Sequence, residues 1–571
     1  MNDGEPRIEF DYVIVGAGPS AMGLLLGLLT KNTAKNTTFF RIAVIERGSG
    51  PSHCASTKSP AHWPDAAATS SSSVTLLKTT IGNRVLDVPT GRGLGGTTNI
   101  NACLCTPPAA VDFEAWPDPW RTSMMGSAES IIQIMFQNGA LVHHHTSVPS
   151  TSSIREANED LKDSLGDSLW TEAVYPQFIT KVPLAASKSE SGKFTRRNYH
   201  EALIEPLLKA NPQLNENITW YKTTEAQRLV FEGDIVTGVE CYSRTNGFFH
   251  VSARREVILS AGTFESAALL LISGIGRDDD LDDAGIEPRG RGSEMGVGRN
   301  LTDHPIIPKF ILTPWTIYTQ SPNTVQALMQ LSSGDDRFQI LFADSTCFTQ
   351  LGPSILASNF RTKVESKCLN EFMQVFFLVI RFVVRIVVTY GPLYYLLRHC
   401  LFGMNVKLMN PKSRGRVWLT KTKSSQTKPL RRKDVIVNVD SCYFTDERDF
   451  EAIQKGWNLC HEYCDVWCEQ GVEVLPGNAI KKTFGDDWFR HFVVAFCLPY
   501  YHWCGTCSMV SEGKDDWVVD SSLKVKYVKG LRVCDASVFP SIVTGPTALT
   551  CAALGFEFAS LLLNEARKKF V

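Results

Sequence analysis

Charge of one sign is what this chain lacks most plainly. Its 571 residues carry 58 Lys and Arg against 59 Asp and Glu, a formal net charge of −1. No electrostatic case follows for nucleic acid as a partner or for an anionic surface. A disulfide framework is lacking too: the 16 cysteines are scattered without regular spacing and read as reduced thiols. Residues 1–9 are polar, with no apolar core, so no secretory leader is read there and an intracellular, cytoplasmic location is expected. Asn36, Asn217 and Asn300 stand in glycosylation-type triplets that carry little meaning without secretion. Apolar content of 43% and charged content of 20% are ordinary for a globular protein, and the length implies at least two domains.

What is present is organised around residues 11–23, D-Y-V-I-V-G-A-G-P-S-A-M-G. Tyr12 to Val15 suits a short buried parallel strand. Gly16, Gly18 and Ala21 complete a G-x-G-x-x-A turn into a helix that begins near Pro19 and Ser20. The first glycine permits the tight turn and the second admits a pyrophosphate to the backbone. The small third residue lets helix pack on strand, and the phosphate meets free N–H groups at the helix start. Arg41 to Ile45 reads as a second strand ending on Glu46, an acid suited to accept hydrogen bonds from an adenosine ribose. Residues 49–80, rich in Ser, Ala and Pro, read as irregular loop. Residues 89–101, P-T-G-R-G-L-G-G-T-T-N-I-N, hold too many glycines for a normal strand or helix and suit close approach to a ligand.

Gly91, Arg92, Gly95, Gly96, Thr97, Thr98, Ile100 and Asn101 resemble the first signature of the glucose–methanol–choline (GMC) family of flavoprotein oxidoreductases. Gly262, Thr263, Ser266, Leu269 and the run 273–276 resemble the second, and residues 296–305 continue the match. Residues 501–509, Y-H-W-C-G-T-C-S-M, resemble the segment that carries the family's active-site histidine, here His502. The Asp-Ala pair that contacts the cofactor in the family is matched by Asp535 and Ala536.

The resemblance implies an α/β fold with an α+β second domain. A Rossmann-like FAD-binding domain is assembled from residues 1–111, 200–305 and 491–571. A substrate domain with a mostly antiparallel sheet and helices takes residues 112–199 and 306–490. FAD is expected against Gly16, Gly18, Pro19, Ser20, Ala21, Glu46, Arg92, Gly95, Gly96, Thr97, Thr98, Asn99, Asn101, Ala226, Ala261, Gly262, Asp535, Ala536 and Thr547. Members that attach FAD covalently carry His where this chain has Ile100, so the resemblance implies non-covalent FAD. The implied activity is oxidation of a CH–OH group by hydride transfer to flavin N5, with His502 as general base. The partners are then a small-molecule alcohol, with a lipophilic one favoured, and an electron acceptor, oxygen or another carrier.

Four features test that reading. Pro546 occupies, by spacing, the place of the family's second His or Asn, and proline offers neither donor nor base. This keeps two alternatives open: a lyase or fatty-acid photodecarboxylase of the same fold, and a catalytically inactive membrane-surface flavoprotein. Cys504 and Cys507 mimic a thioredoxin-type pair, but they lie outside the helix start that such chemistry uses. His143, His144 and His145 do not share a helix face and have no flanking ligands, so no metal is expected. Residues 372–401 are strongly apolar, interrupted by Arg381 and Arg385 and broken at Gly391-Pro392. A buried helix, an interfacial helix and a spanning helix are all open there, and the segment is the candidate for peripheral membrane contact. Smaller expectations are a helix starting at Asp112 to Trp116, a helix over residues 201–208, strands at 217–221 and 226–241 with a hairpin turn at Gly233-Asp234, and a closing helix from Thr547 to Leu563.

Overall fold

A computed structural model describes residues 9–31, 40–49, 74–145, 177–312, 325–343, 400–422, 429–464 and 471–568, with short interruptions, and isolated residues in 58–67 and 376–386. The first half of the architecture is made from β1 (Glu9–Val15), α1 (Pro19–Thr30), β2 (Ile42–Ile45), β3 (Ile218–Tyr221), β4 (Thr224–Glu232), β5 (Ile235–Ser243), β6 (Gly247–Leu259), α2 (Thr263–Ile272), β7 (Leu531–Val533) and α3 (Thr547–Lys568). These strands form one sheet in the order β3-β2-β1-β6-β5-β4, with β7 beside β6. β3, β2, β1, β6 and β7 run parallel, Tyr12 facing Ile42 and Val15 facing both Ile45 and Leu259. Their residues are apolar on both faces because helices cover both sides. β4, β5 and β6 form an antiparallel meander, with the expected turn at Gly233-Asp234.

α1 and α3 lie backbone to backbone. A Cβ on Gly23 would strike the Ala552 carbonyl, and one on Gly555 would strike the Ser20 carbonyl. Glycine at both places lets the closing helix seat directly on the first helix. By length and composition α3 is apolar enough to cross a membrane, but 61% of its apolar window is buried inside the protein. That burial marks a core helix.

The second half is an eight-stranded antiparallel sheet. Its central strand, Leu401–Leu408, is buried at all eight positions and carries Asn405 and Lys407 inward among apolar residues. The helix Glu447–Tyr463 covers the sheet with Phe450, Ile453, Trp457 and Cys460.

Several local expectations are corrected. Within the stretch read as irregular loop, Val74–Ile81 is a strand paired with Arg84–Gly91, because Val74 and Ile81 find apolar partners that a loop reading did not supply. Residues 89–91 complete that hairpin, and Gly96–Asn99 is a 3-10 turn. Asp112 sits in a short 3-10 turn, Ala110–Phe113, and the helix proper is Trp120–Gln137. Its Trp120, Met124, Ala128, Ile131 and Met135 recur every three or four residues and are buried. The helix over 201–208 is a π turn, His200–Ile204, that runs into an α-helix, Glu205–Ala210. His143, His144 and His145 lie on a strand, Val142–His145, paired with Lys181–Leu184. No cluster that could hold a metal occurs among the described residues. Most of 372–401 lies outside the described residues, but Phe376, Val379, Phe382, Val383 and Ile386 are helical and between 40% and 64% exposed.

Candidate active site

Two cavities meet between the sheets. The first is a cleft of about 1420 Å³, open solvent at its mouth included, across the C-terminal ends of β1, β2 and β6 at Val15, Ile45 and Ser260. That is where open parallel sheets bind ligands. Gly16 has φ +100°, and a Cβ there would strike the Ser260 carbonyl. Gly96 has φ +55°, and its Cβ would stand 2.8 Å from the Gly18 Cα. The two glycine segments thus close on each other across the start of α1. No side chain caps α1, so its first N–H groups face the cleft. A glycine cradle, an uncapped helix start and a long cleft fit an FAD-sized dinucleotide.

Sixteen of the expected residues line this cleft: Gly16, Gly18, Pro19, Ser20, Glu46, Gly96, Thr97, Thr98, Asn101, Ala226, Ala261, Gly262, Asp535, Ala536, Thr547 and His502. Four do not. Ala21 is wholly buried under the turn. The Arg92 Nε donates to Thr75 Oγ1 at 2.5 Å, and Gly95 packs on Asn198. Asn99 donates to the carbonyls of Arg92 and Leu94 and accepts from Asn198. These four shape the loop instead of facing its contents. Sequence reading missed Arg47, Glu265 and Arg432, which form a buried ion triad in the wall: Glu265 meets Arg47 at 2.9 Å and Arg432 at 2.7 Å. Burial alone would raise the Glu265 pKa, but the two guanidiniums hold it well below the usual carboxylate range. Arg432 is distant in sequence and belongs to no motif, so it gave no signal.

Glu46, expected against a ribose, holds the loops of the cleft together. Its carboxylate accepts backbone N–H bonds from Ala17 at 3.1 Å, Gly48 at 2.8 Å and Gly93 at 2.9 Å. It ties three loops together, and burial raises its pKa. Asp535 is used similarly, accepting from Gly262 N, Ser266 Oγ and both the N–H and hydroxyl of Ser537.

The second cavity spans about 1170 Å³, open solvent included, beneath the antiparallel sheet. Its wall includes Trp63, Ile100, Leu104, Ile306, Phe310, Leu341 and Ala343. Six residues line both cavities: Pro89, Thr97, Asn101, Tyr501, His502 and Pro546. His502 and Pro546 therefore stand at one junction.

The segment bearing His502 is pinned by Asp303. Asp303 Oδ1 accepts the His502 N–H at 2.7 Å. Its Oδ2 accepts from Tyr443 Oη at 2.6 Å and from the N–H groups of Tyr500 and Tyr501 at 2.9 and 3.3 Å. Tyr501 has φ +66°, a left-handed conformation unusual for a bulky residue. The Asp303 bonds on both sides hold it there. Burial raises the Asp303 pKa to about 6 against these bonds.

Two buried histidines stand side by side, ring centroids 5.5 Å apart, and differ in use. The His304 ring nitrogens face the carbonyls of Leu408 at 3.0 Å and Val543 at 3.1 Å. The His502 Nδ1 is buried with no hydrogen-bond partner among the described residues. Burial, then the charges of Lys407 and His304, push the His502 pKa well below its ordinary value, so the ring is neutral. Asp112 accepts from both the N–H and hydroxyl of Thr544, fixing the turn that precedes Pro546. Cys504 and Cys507 are fully buried, and burial pushes both thiols up, so neither has thiolate character.

A dinucleotide cleft on a doubly wound sheet, opening at a histidine into an apolar cavity under an antiparallel sheet, defines a two-domain flavoprotein oxidoreductase fold. Models of the GMC oxidoreductase family match residues 197–306 and 411–555, and over these segments the chain is similar to that family. Versicolorin B synthase of Aspergillus parasiticus is 28% identical over 372 residues, 63% of this chain. The match spans 53% of that relative, about half its length. Oxygen-dependent choline dehydrogenase of Rhizobium johnstonii is 25% identical over 582 residues, with 95% of this chain and 94% of that protein covered. Two solved structures share the fold over nearly their whole length. Pyridoxine 4-oxidase from Mesorbium loti has a TM-score of 0.67 at 20% identity, covering 97% of this chain and 99% of its own. Formate oxidase has a TM-score of 0.68 at 17% identity, covering 99% of this chain and 100% of its own.

Proposed function

We propose that this protein oxidises the CH–OH group of a neutral, lipophilic alcohol, with non-covalently held FAD and His502 as the base. The observation that carries the reading is the junction: His502 lines both the dinucleotide cleft and the apolar cavity. Bound FAD supplies the two-electron acceptor. His502 takes the hydroxyl proton; its ring is neutral and its Nδ1 is unclaimed by the protein among the described residues. Among the described residues lining the second cavity there is no Asp, Glu, Lys or Arg. A cation such as choline and an anion such as formate would each enter without a counter-charge, at a desolvation cost of several kcal/mol. A neutral apolar alcohol enters without it. Ile100, 2% exposed and packed with Val74, offers no nucleophile for covalent attachment of FAD.

The exposed apolar residues Phe376, Val379, Phe382, Val383 and Ile386 recur at helical spacing and support contact with a bilayer surface from which such a substrate is drawn. Co-sedimentation with phosphatidylcholine vesicles tests that contact; equal recovery of Phe382→Ser and wild type overturns it.

The test of the reaction is anaerobic flavin reduction in the dark. The panel runs from short polar alcohols and sugars to long-chain and aromatic alcohols. Bleaching by the apolar classes is expected, and admitting air afterwards separates an oxidase from a dehydrogenase. A normal flavin spectrum with no bleaching by any alcohol overturns the reading. Pro546 favours a second one, a reaction without net oxidation on the same fold, and that outcome would support it.

A further inference from the structure

Removing a hydroxyl proton leaves negative charge on the substrate oxygen, and a base alone does not stabilise it. A hydrogen-bond donor must face the same point. At the junction Pro546 has no donor. The other side chains lining both cavities are Pro89, Thr97, Asn101, Tyr501 and His502. Asn101 is distinguished among them by how its amide is held. Its Oδ1 accepts from Arg196 Nη1 at 2.8 Å and from the Cys103 N–H at 3.1 Å. Both partners are donors, so the amide cannot flip without facing donors with its own N–H groups. That leaves Nδ2 as the free donor of a residue that lines both cavities, and no protein acceptor takes it among the described residues. Arg196 is 3% exposed, and its buried charge on Oδ1 polarises the amide so that Nδ2 donates more strongly.

We infer that Asn101 Nδ2 is the second catalytic group, donating to the substrate oxygen in the place that Pro546 leaves empty of donors. This rests on the alcohol-oxidation reading above, in which His502 receives the proton. The proton passes from the substrate hydroxyl to the imidazole, and the Asn101 N–H bond stays intact and only shortens its contact to the charged oxygen. Asn101 thereby serves the reacting oxygen in addition to lining the cofactor cleft.

The variant that isolates the donor is Asn101→Asp. It keeps an oxygen for Arg196 and Cys103, so the fold around it is retained, but puts an acceptor where the donor was. Stopped-flow flavin reduction should slow by roughly 100-fold in its limiting rate, with FAD stoichiometry unchanged. Adding Pro546→Asn to this variant should recover at least about tenfold, because an amide donor returns to the junction. A limiting rate equal to wild type, or loss of FAD with an unchanged rate per bound flavin, overturns the assignment. A second readout needs no turnover: the ionisation of bound para-nitrophenol, followed by absorbance. Wild type should lower its pKa relative to free solution, and Asn101→Asp should raise it by about one unit, a tenfold change in the ionisation constant. An unchanged phenol pKa in the variant overturns the assignment, even if no alcohol reduces the wild-type flavin and the reaction reading itself has failed.

Discussion

The cleft lined by Gly16, Gly18 and Gly96 and the cavity lined by Phe310, Leu341 and Ala343 meet at His502 but are made of different materials. The cleft is backbone and buried charge: left-handed glycines, an uncapped helix start, and the carboxylates of Glu46, Glu265 and Asp535, each engaged by several donors. The cavity is side-chain surface, almost wholly apolar, supplied by a sheet whose strands come from distant parts of the chain. A polar ligand such as a dinucleotide needs its donors placed in advance, and only particular residues supply them. An apolar substrate needs only volume and the absence of charge, which many residues supply. On the proposed function, recognition is therefore concentrated in the cleft, substrate class is set by the cavity, and chemistry is confined to the wall between.

The separation can be broken most severely at that wall. His502→Ala should lower the limiting rate of flavin reduction by about a thousandfold, within the usual range for losing a general base, with FAD still bound. Reduction at the wild-type rate would end the assignment of His502 as base. Gly96→Val attacks the cleft alone. It puts a branched side chain at φ +55°, with its Cβ 2.8 Å from the Gly18 Cα. FAD affinity, measured by calorimetry on deflavinated protein, should weaken roughly 100-fold, about 3 kcal/mol, while the melting temperature of the apoprotein changes little. Equal FAD affinity would show that the two glycine segments do not form the cradle.

The same contrast explains how much was legible in the sequence. The cleft was readable because backbone constraints leave residue-type signatures: Gly16 and Gly96 sit where a Cβ collides, and Asp535 accepts four bonds that no apolar residue could. His502 was readable through the resemblance of its segment, whose Thr506 and Cys507 are fully buried and whose Gly505 leaves no room for a Cβ beside Asn300. The cavity was not readable, since Leu341, Phe310 and Leu104 are interchangeable with other apolar residues and meet only through strand pairing. Nor was the triad of Arg47, Glu265 and Arg432, whose members are separated by more than 160 residues along the chain. The helix Trp120–Gln137 was legible in principle from its buried spacing, but interspersed serines and a glycine disguised it. Asp303 stood in a matched segment, yet its role depends on partners some 200 positions later.

Asp303 sharpens the comparison from beneath the wall. Its pKa is raised by burial to about 6, above the value of about 3.9 expected unfolded. Its share of folding stability is thus present in full below about pH 4 and is lost as pH rises through about 6. Function runs the other way. Above about pH 6 the carboxylate is ionised and can accept from Tyr443, Tyr500, Tyr501 and His502 together; below it, one oxygen carries a proton and the His502 segment loosens. Reduction rates should fall as pH drops through 6, well above the region where His502 itself protonates. Asp303→Asn should lose about tenfold at pH 8 and lose the acid limb near 6. An unchanged limb in this variant would remove Asp303 from the account.

The smallest effect concerns Lys407. It lies 1% exposed on the central strand, with Nζ 4.0 Å from the Tyr500 ring centroid. Burial lowers its pKa to about 7. The unfolded value is about 10.4, so its stability contribution is full above that pH and is lost as pH falls through about 7. Below about pH 7 the ammonium is charged, and it depresses the basicity of His502 across the Tyr500 ring. Lys407→Met removes the charge and keeps the length, a replacement for a buried ion that is commonly neutral or stabilising. The variant should melt higher than wild type at pH 6, with the difference shrinking toward pH 9. Its flavin-reduction rate should exceed wild type by about threefold at pH 6 and match it near pH 8, since half a pKa unit in the base is about 0.7 kcal/mol. A pH-independent difference in melting temperature would mean that the lysine is uncharged throughout, and the electrostatic link between Lys407 and His502 would then be gone.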